Sequence, residues 1–258
     1  VSKVYFIGAG PGDPELITVK GARLLRESDV IIYAGSLVDR RLVQEYGANA
    51  KVYDSSSMNL EETTTVIAEA MLAEKKVARL HTGDPSIYGA VQEQMAELDR
   101  LAIDYEVVPG VTSAFAAAAA LKQELTLPEV SQTVVFTRIE GRTPVPERES
   151  MGEIAKIGAT LVIYLSVSMI ERVVEELQRG AYRPETSVAV VYRASWPDER
   201  IIEGTLADIA GRVKEAEIGK QAIIMVGDVL KARKEGMKAK SRLYDKDFSH
   251  GGRKGILT

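Results

Sequence analysis

Three short segments hold the side chains with the best claim to chemistry. The first is GAGPGDPELIT (8–18), whose ionisable groups are Asp13 and Glu15. The second is HTGDPSIYG (81–89). There Thr82 and Asp84 flank Gly83, Pro85 stiffens the turn, and Ile87 and Tyr88 can wall a flat ring. The third is VPGVTSA (108–114), in which Pro109 and Gly110 shape a turn and Thr112 and Ser113 supply hydroxyls at a helix start. Such hydroxyls most often serve as N-caps. Glycine at these points lets main chain approach a ligand closely.

A phosphate-bearing ligand is poorly served. Gly8, Gly10 and Asp13 break the G-x-G-x-x-G spacing at its last glycine, and Pro11 and Pro14 remove N–H donors that a pyrophosphate needs. The next strand ends in YAGS, with no acidic residue for a ribose, and no G-x-x-x-x-G-K-[ST] exists. Taken alone, the first segment reads as a tight turn between a strand and a helix. Cysteine is absent, which excludes disulfides, iron–sulfur clusters, thiolate zinc and a cysteine nucleophile. His81 and His250 are the only histidines, so no metal site is expected.

The elements that position these segments follow from periodicity. Apolar runs at 4–10, 29–35, 51–54, 76–85 (the last running into a glycine-containing loop) and 105–110 alternate with helical patterns at 16–28, 39–47, 59–74 and 91–101. Short buried strands alternating with helices predict a largely parallel sheet covered on both faces. In such sheets ligands sit outside the carboxyl ends of the strands, so the three segments can converge. Beyond an alanine-rich helix (113–125) and a linker at 126–132 the texture changes. Strands are expected at 133–141, 159–167, 186–195, 199–206 and 222–230, with helices at 149–157, 169–180 and 206–216. The run 199–206 reads as an antiparallel return of 186–195, so the second sheet should be mixed. The expected domains are 1–114, mostly parallel, and 115–235, mixed, followed by a basic tail at 236–258. The five alanines at 116–120 suggest a closely packed helix, most simply against the other domain. GRTPVPERES (141–150) has prolines and charges but no apolar period, and is expected to be an exposed, mobile loop.

Bulk properties fit two α/β domains. The chain has 258 residues, 45% hydrophobic and 27% charged, and lacks any apolar run near the ~18–20 residues that span a bilayer. VSKVYFIGAG enters a strand directly, so no export signal is expected, and a cytoplasmic protein is. The net charge of −4 conceals a segment from Lys231 to Lys254 with nine basic residues against three acidic ones. That segment is either a solvated extension or a surface for an anionic ligand. Its charges are not interleaved with regularly spaced aromatics, so nucleic acid is not an expected partner, and with no spanning apolar run neither is a membrane.

The order GAGPGDPELIT, GDPSIYG, VPGVTSA and VIYLS (162–166), spread from Val4 to about Leu230, resembles the tetrapyrrole methyltransferase family that uses S-adenosylmethionine. The details YAGSLVD (33–39) and FTRIEGRTPVPERES (136–150) resemble its precorrin-4 or cobalt-precorrin-4 C11-methylating branch in cobalamin biosynthesis. The resemblance implies two α/β domains with a ligand cleft between them, a fold distinct from the Rossmann methyltransferases. It also implies a homodimer, a tetrapyrrole substrate and S-adenosylhomocysteine as product. Residue by residue, it implies cofactor contacts from Pro11, Thr82, Gly83, Asp84, Ile87, Tyr88, Thr112 and Ser113. Leu165 falls where many relatives have methionine, Ala194 where relatives often have glycine, and Ala222 begins the last core strand beside the adenine. A macrocycle rich in carboxylates calls for basic partners, and Arg138, Arg142, Arg148 and Arg193 are the candidates.

The chemistry asks little of the protein beyond orientation and a dry cleft, because the sulfonium is already a good leaving group. No nucleophile is expected, and Asp84 is the first candidate for a catalytic carboxylate, more as a positioning group than as a base. Other readings stay open: a precorrin or uroporphyrinogen methyltransferase acting at another ring carbon, a diphthine-synthase-like protein methyltransferase, or a silent ligand-binding module.

Overall fold

The computed structural model describes residues 2–232 and, beyond them, residues 236, 241, 248, 249, 251, 252 and 254. Of the nine basic residues from Lys231 to Lys254 only those two are among them, so the reading of that basic segment, like His250, lies outside the described residues. By its internal contacts the chain divides into two units. Unit 1 is Val1–Ala116 together with Arg193–Asp198; unit 2 is Ala117–Tyr192 with the chain from Glu199 onward. A division by position along the sequence cannot express that exchange of six residues.

Unit 1 is built on five strands, β1 (Val4–Gly8), β2 (Val30–Tyr33), β3 (Lys51–Asp54), β4 (Val77–His81) and β5 (Tyr105–Val108). They lie in the order β3-β2-β4-β1-β5, and every pairing is parallel. Both faces of the central strands are buried, as parallel sheets require. Ile7, Ile31 and Leu80 pack with Leu24, Leu25 and Leu42 on one side. Phe6, Val30, Ile32 and Val77 pack with Ile67 and Leu98 on the other. The covering helices are α1 (Val19–Arg26), α2 (Arg40–Tyr46), α3 (Leu60–Leu72) and α4 (Val91–Arg100). Truncating fully buried Leu25 or Leu98 to alanine removes contacts from one face and should cost ~2–5 kcal/mol.

Local chemistry sets the helix starts. The expected helix at 16–28 begins three residues late, because Pro14–Leu16 forms a separate 3-10 turn and the Thr18 side chain caps α1 by accepting from Gly21 N–H. Asn59 and Glu62 form a reciprocal capping box on α3. The alanine-rich helix α5 (Ser113–Leu121) is four residues shorter than its pattern suggests, since Lys122 turns into the left-handed region (φ 53°). Ala114 and Ala116–Ala118 on it are buried.

Unit 2 contains β6 (Val134–Thr137), β7 (Thr160–Ile163), β8 (Ser187–Tyr192), β9 (Arg200–Thr205) and β10 (Ala222–Val226) in the order β6-β7-β10-β8-β9. Only β6 and β7 are parallel; β10 runs antiparallel to β7 and β8, and β9 returns antiparallel beside β8. The sheet is mixed, with α6 (Met151–Ala155), α7 (Ile170–Gln178) and α8 (Ile209–Glu215) over its core of Leu161, Ile163, Val188, Val190 and Ile224. Among the described residues no helix is long and apolar enough to cross a membrane.

Candidate active site

Strands β4, β1 and β5 are neighbours and parallel, so the segments leaving their carboxyl ends emerge side by side. Three glycines let these loops touch backbone to backbone. A Cβ added at Gly8 would stand 2.5 Å from Gly110 Cα and 2.7 Å from the Gly83 carbonyl oxygen. One added at Gly110 would stand 2.2 Å from that same oxygen. The loops are also bonded together. Gly83 N–H donates to the Gly10 carbonyl (2.8 Å), Gly10 N–H to the Gly83 carbonyl (3.3 Å), and Ala9 N–H to the His81 carbonyl (2.8 Å). Gly10 and Gly83 both adopt positive φ (78° and 63°), which glycine tolerates without strain.

Asp84 completes the junction. Its Oδ2 accepts from Gly110 N–H at 2.8 Å, and its Oδ1 accepts from Ser86 N–H at 2.9 Å and from the Ser86 hydroxyl. Burial pushes this carboxyl up, but the bonds from Ser86 and Gly110 outweigh it and hold it below the ordinary carboxylate range. Both oxygens are thereby committed to loop structure. Thr82 is exposed beside them, Ile87 and Ser113 are half-buried, and Thr112 is buried. Tyr88 is 47% exposed yet held at φ 52°, a conformation unusual for a bulky residue and found preferentially at functional sites.

A fourth segment joins this cluster within unit 1. In Arg193–Asp198, Trp196 Nε1 donates to the Pro11 carbonyl at 2.8 Å and Ser195 Oγ accepts from Asp13 N–H at 3.0 Å. Ala194, just before Ser195, is buried. The Arg193 guanidinium lies 4.0 Å from the Trp196 ring centroid and pairs with Asp198 at 2.5 Å. Arg193 therefore supports this segment, whatever else it does.

Sequence reasoning passed over two groups under the loops. His81, at the end of β4, is buried, is hydrogen-bonded to the Gly89 backbone, and has Nε2 without a hydrogen-bond partner. Burial, helped by the charge of Arg79, lowers its pKa to about 4, so it is neutral at pH 7. Arg79 donates to Gln94 Oε1 and to the Ser55 hydroxyl, both at 2.9 Å, and burial lowers its pKa to about 10. A charged residue inside the apolar run VARLH was the available signal. Trp196 was passed over too, although a lone tryptophan in a turn is a conspicuous one.

In unit 2, register gathers two more expected residues. Ile224 on β10 stands opposite Ile163 on β7, so Ala222, two residues earlier, lies at the same sheet end as Leu165, two residues later. Leu165 is 68% exposed with φ 55°, while Ser166 beside it is fully buried. The Ser166 hydroxyl accepts from Ile139 N–H (3.0 Å) and donates to the Tyr164 carbonyl (2.6 Å). That fixed turn thrusts an apolar side chain outward. Of the expected substrate arginines, Arg138 donates to the Thr143 and Pro144 carbonyls (3.0 and 2.8 Å), tying down the start of the 141–150 segment. Arg142 and Arg148 are exposed, the latter 3.8 Å from Glu149.

The three glycine loops contain no lysine or arginine, and His81 is neutral, so Asp13, Glu15 and Asp84 set their charge. Glycine-lined main chain, hydroxyls, half-buried Ile87 and exposed Tyr88 beside that negative charge fit a flat, cationic ligand better than a phosphate ester. Among the described residues there is no group of three or more histidine, aspartate or glutamate side chains able to hold a metal.

The model of the tetrapyrrole (corrin/porphyrin) methylases matches residues 3–210. The chain belongs to that family. It is 58% identical over 252 residues to a cobalt-precorrin-4 C(11)-methyltransferase from Methanocaldococcus jannaschii, covering 98% of this chain and 96% of that one. Among solved structures it resembles a cobalamin biosynthetic enzyme, cobalt precorrin-4 methyltransferase, with TM-score 0.86 and 47% identity over 88% of this chain and 95% of the other. It also resembles uroporphyrin-III C-methyl transferase from Thermus thermophilus complexed with S-adenyl homocysteine, with TM-score 0.74 and 30% identity over 90% and 94%. This family membership agrees with the two α/β sheets and their motif-bearing loops.

Proposed function

We propose that this chain transfers a methyl group from S-adenosylmethionine to C11 of precorrin-4 or its cobalt-bound counterpart, a step of cobalamin biosynthesis that releases S-adenosylhomocysteine. The observation that carries the reading is the likeness, over almost the whole chain, to relatives named for that reaction. The loop chemistry supports it, since acidic, glycine-lined loops without lysine or arginine suit a sulfonium and its adenosine.

When bound, S-adenosylmethionine supplies an activated methyl group. The chain's task is to hold and orient. Thr82, Gly83, Ile87, Tyr88, Thr112 and Ser113 form one set of contacts in this reading, with Pro11 at the border of the trough. Leu165 keeps an apolar contact, Ala194 serves the adenine through its backbone, and Ala222 touches the adenine. Asp84 orders the loops through Ser86 and Gly110 and does not act as a base. Arg142 and Arg148, exposed and weakly tied, are the arginines best able to meet substrate carboxylates. A homodimer working in the cytoplasm belongs to the same reading.

The deciding experiment supplies the protein with S-adenosylmethionine and precorrin-4, with and without cobalt, and locates the new methyl by mass spectrometry and NMR. A methyl at another ring carbon, or turnover only on uroporphyrinogen, would replace this assignment with a sister activity.

A further inference from the structure

We infer that Trp196 is a positioning residue: it fixes the shape of the loop after β1 and, through it, the affinity of the candidate site for its ligand. The inference rests on the methyltransferase reading above. The loop Pro11–Asp13 is poor in main-chain donors, since Pro11 and Pro14 have no N–H to donate, and its own bonds are local, from Glu15 N–H to Asp13 Oδ1 and from Leu16 N–H to the Asp13 carbonyl, both at 3.0 Å. Two further polar groups of the loop go to one short segment distant in sequence. The Pro11 carbonyl accepts from Trp196 Nε1 at 2.8 Å, and Asp13 N–H donates to Ser195 Oγ at 3.0 Å.

Gly12 lies between these bonds and against the indole. A Cβ there would come within 2.2 Å of Trp196 Cδ1 and 2.3 Å of Nε1, so this glycine answers to the tryptophan ring. On its other flank the loop is pinned by the paired bonds between Gly10 and Gly83. The distance between Pro11 and the Thr82–Asp84 turn is therefore set by Trp196 on one side and Gly83 on the other. The segment is shaped for that contact. Arg193 and Ser195 both take positive φ (47° and 68°), Trp196 N–H closes a turn on the Arg193 carbonyl at 2.9 Å, and the Arg193 guanidinium stacks on the ring. Residues in such sparsely populated backbone regions persist only where surrounding structure enforces them.

Trp196 is also the only tryptophan in the chain, so its emission reports this loop directly. Three variants separate its contributions: Trp196→Phe keeps a ring and removes the donor, Trp196→Ala removes both, and Gly12→Ala displaces the ring from the other side. Calorimetric affinity for S-adenosylhomocysteine is measured for each, with kcat and KM alongside and tryptophan emission of wild type and Gly12→Ala during titration. The expected order of affinity is wild type, then Phe about 5-fold weaker from one lost hydrogen bond, then Ala on the order of 100-fold weaker. Gly12→Ala should weaken binding and shift the free protein's emission. The loss should fall mainly on KM for the cofactor, and wild-type emission should change on saturation. Unchanged affinity and KM in Trp196→Ala and Gly12→Ala, whatever their melting temperatures, would overturn the assignment alone. A wild type that binds no S-adenosylhomocysteine would overturn the methyltransferase reading and this assignment together.

Discussion

Asp84 and Gly110 are joined across two loops by a 2.8 Å bond from main-chain N–H to carboxylate, and the other carboxylate oxygen is occupied by Ser86. Replacing Asp84 with asparagine turns one of those oxygens into an NH2 that faces an N–H donor. The expected cost is about 1–3 kcal/mol of folding stability, measurable by urea denaturation. Affinity for S-adenosylhomocysteine should fall with it, while single-turnover methyl transfer at saturating cofactor stays within an order of magnitude. Normal affinity with transfer reduced ~100-fold or more would instead make Asp84 a general base.

The backbone contact beneath that bond gives a steric prediction. Gly110→Ala drives a Cβ to 2.2 Å from the Gly83 carbonyl oxygen, where no flexible side-chain tip can yield. Separation of the β4 and β5 loops should cost about 1–3 kcal/mol or more and abolish cofactor binding. Gly211→Ala, a helical site with nothing within 4 Å of the added atom, serves as the control and should be neutral or slightly stabilising. Equal binding by both variants would mean that the glycine contact is dispensable.

His81 makes stability pH-dependent. Its folded pKa of about 4 lies below the ordinary 6.5, so the unfolded chain takes up the proton first as pH falls. The contribution is fully present above pH 6.5 and is lost between there and about pH 4. The shift corresponds to roughly 3 kcal/mol. Denaturation midpoints at pH 7.5 and 5 should differ more for wild type than for His81→Gln. Parallel pH profiles for the two proteins would show that His81 is not responsible.

Arg138 ties the 141–150 segment through the carbonyls of Thr143 and Pro144. Limited proteolysis of Arg138→Met should cut that exposed segment several-fold faster than in wild type. Bound macrocycle should slow cutting in both proteins if the segment closes over it as a flap. Cleavage indifferent to substrate would leave it an ordinary surface connection.

Much of this architecture was legible because local chemistry and packing agree. Apolar runs such as VIIY and AIIMV became central strands, and the helix expected from residue 59 starts there, with Asn59 as its cap. Helix ends were less legible: nothing in the pattern of LITVKG shows that Pro14–Leu16 forms a turn of its own, and Lys122 ends α5 through its backbone angle. At the site, the three glycine loops could be read from their position after strands. The commitment of Asp84 to Gly110 N–H could not, because it joins residues 26 apart through a main-chain donor. Trp196 was harder still. Its partner lies 185 residues away in sequence, beyond the reach of any periodic pattern.

The return of Arg193–Asp198 to unit 1 has a consequence for how the protein is made. On a ribosome emitting about 5–20 residues per second, β1 to β5 and their helices can assemble long before residue 196 exists. The first glycine loop must then wait for the hairpin between β8 and β9. Closing so long a loop adds little entropic cost, since each doubling of its length contributes only ~0.6 kcal/mol. The delay is in time. A nascent chain can therefore hold a complete parallel sheet while its loop after β1 still lacks the indole that shapes it, so competence for ligand arrives late in synthesis.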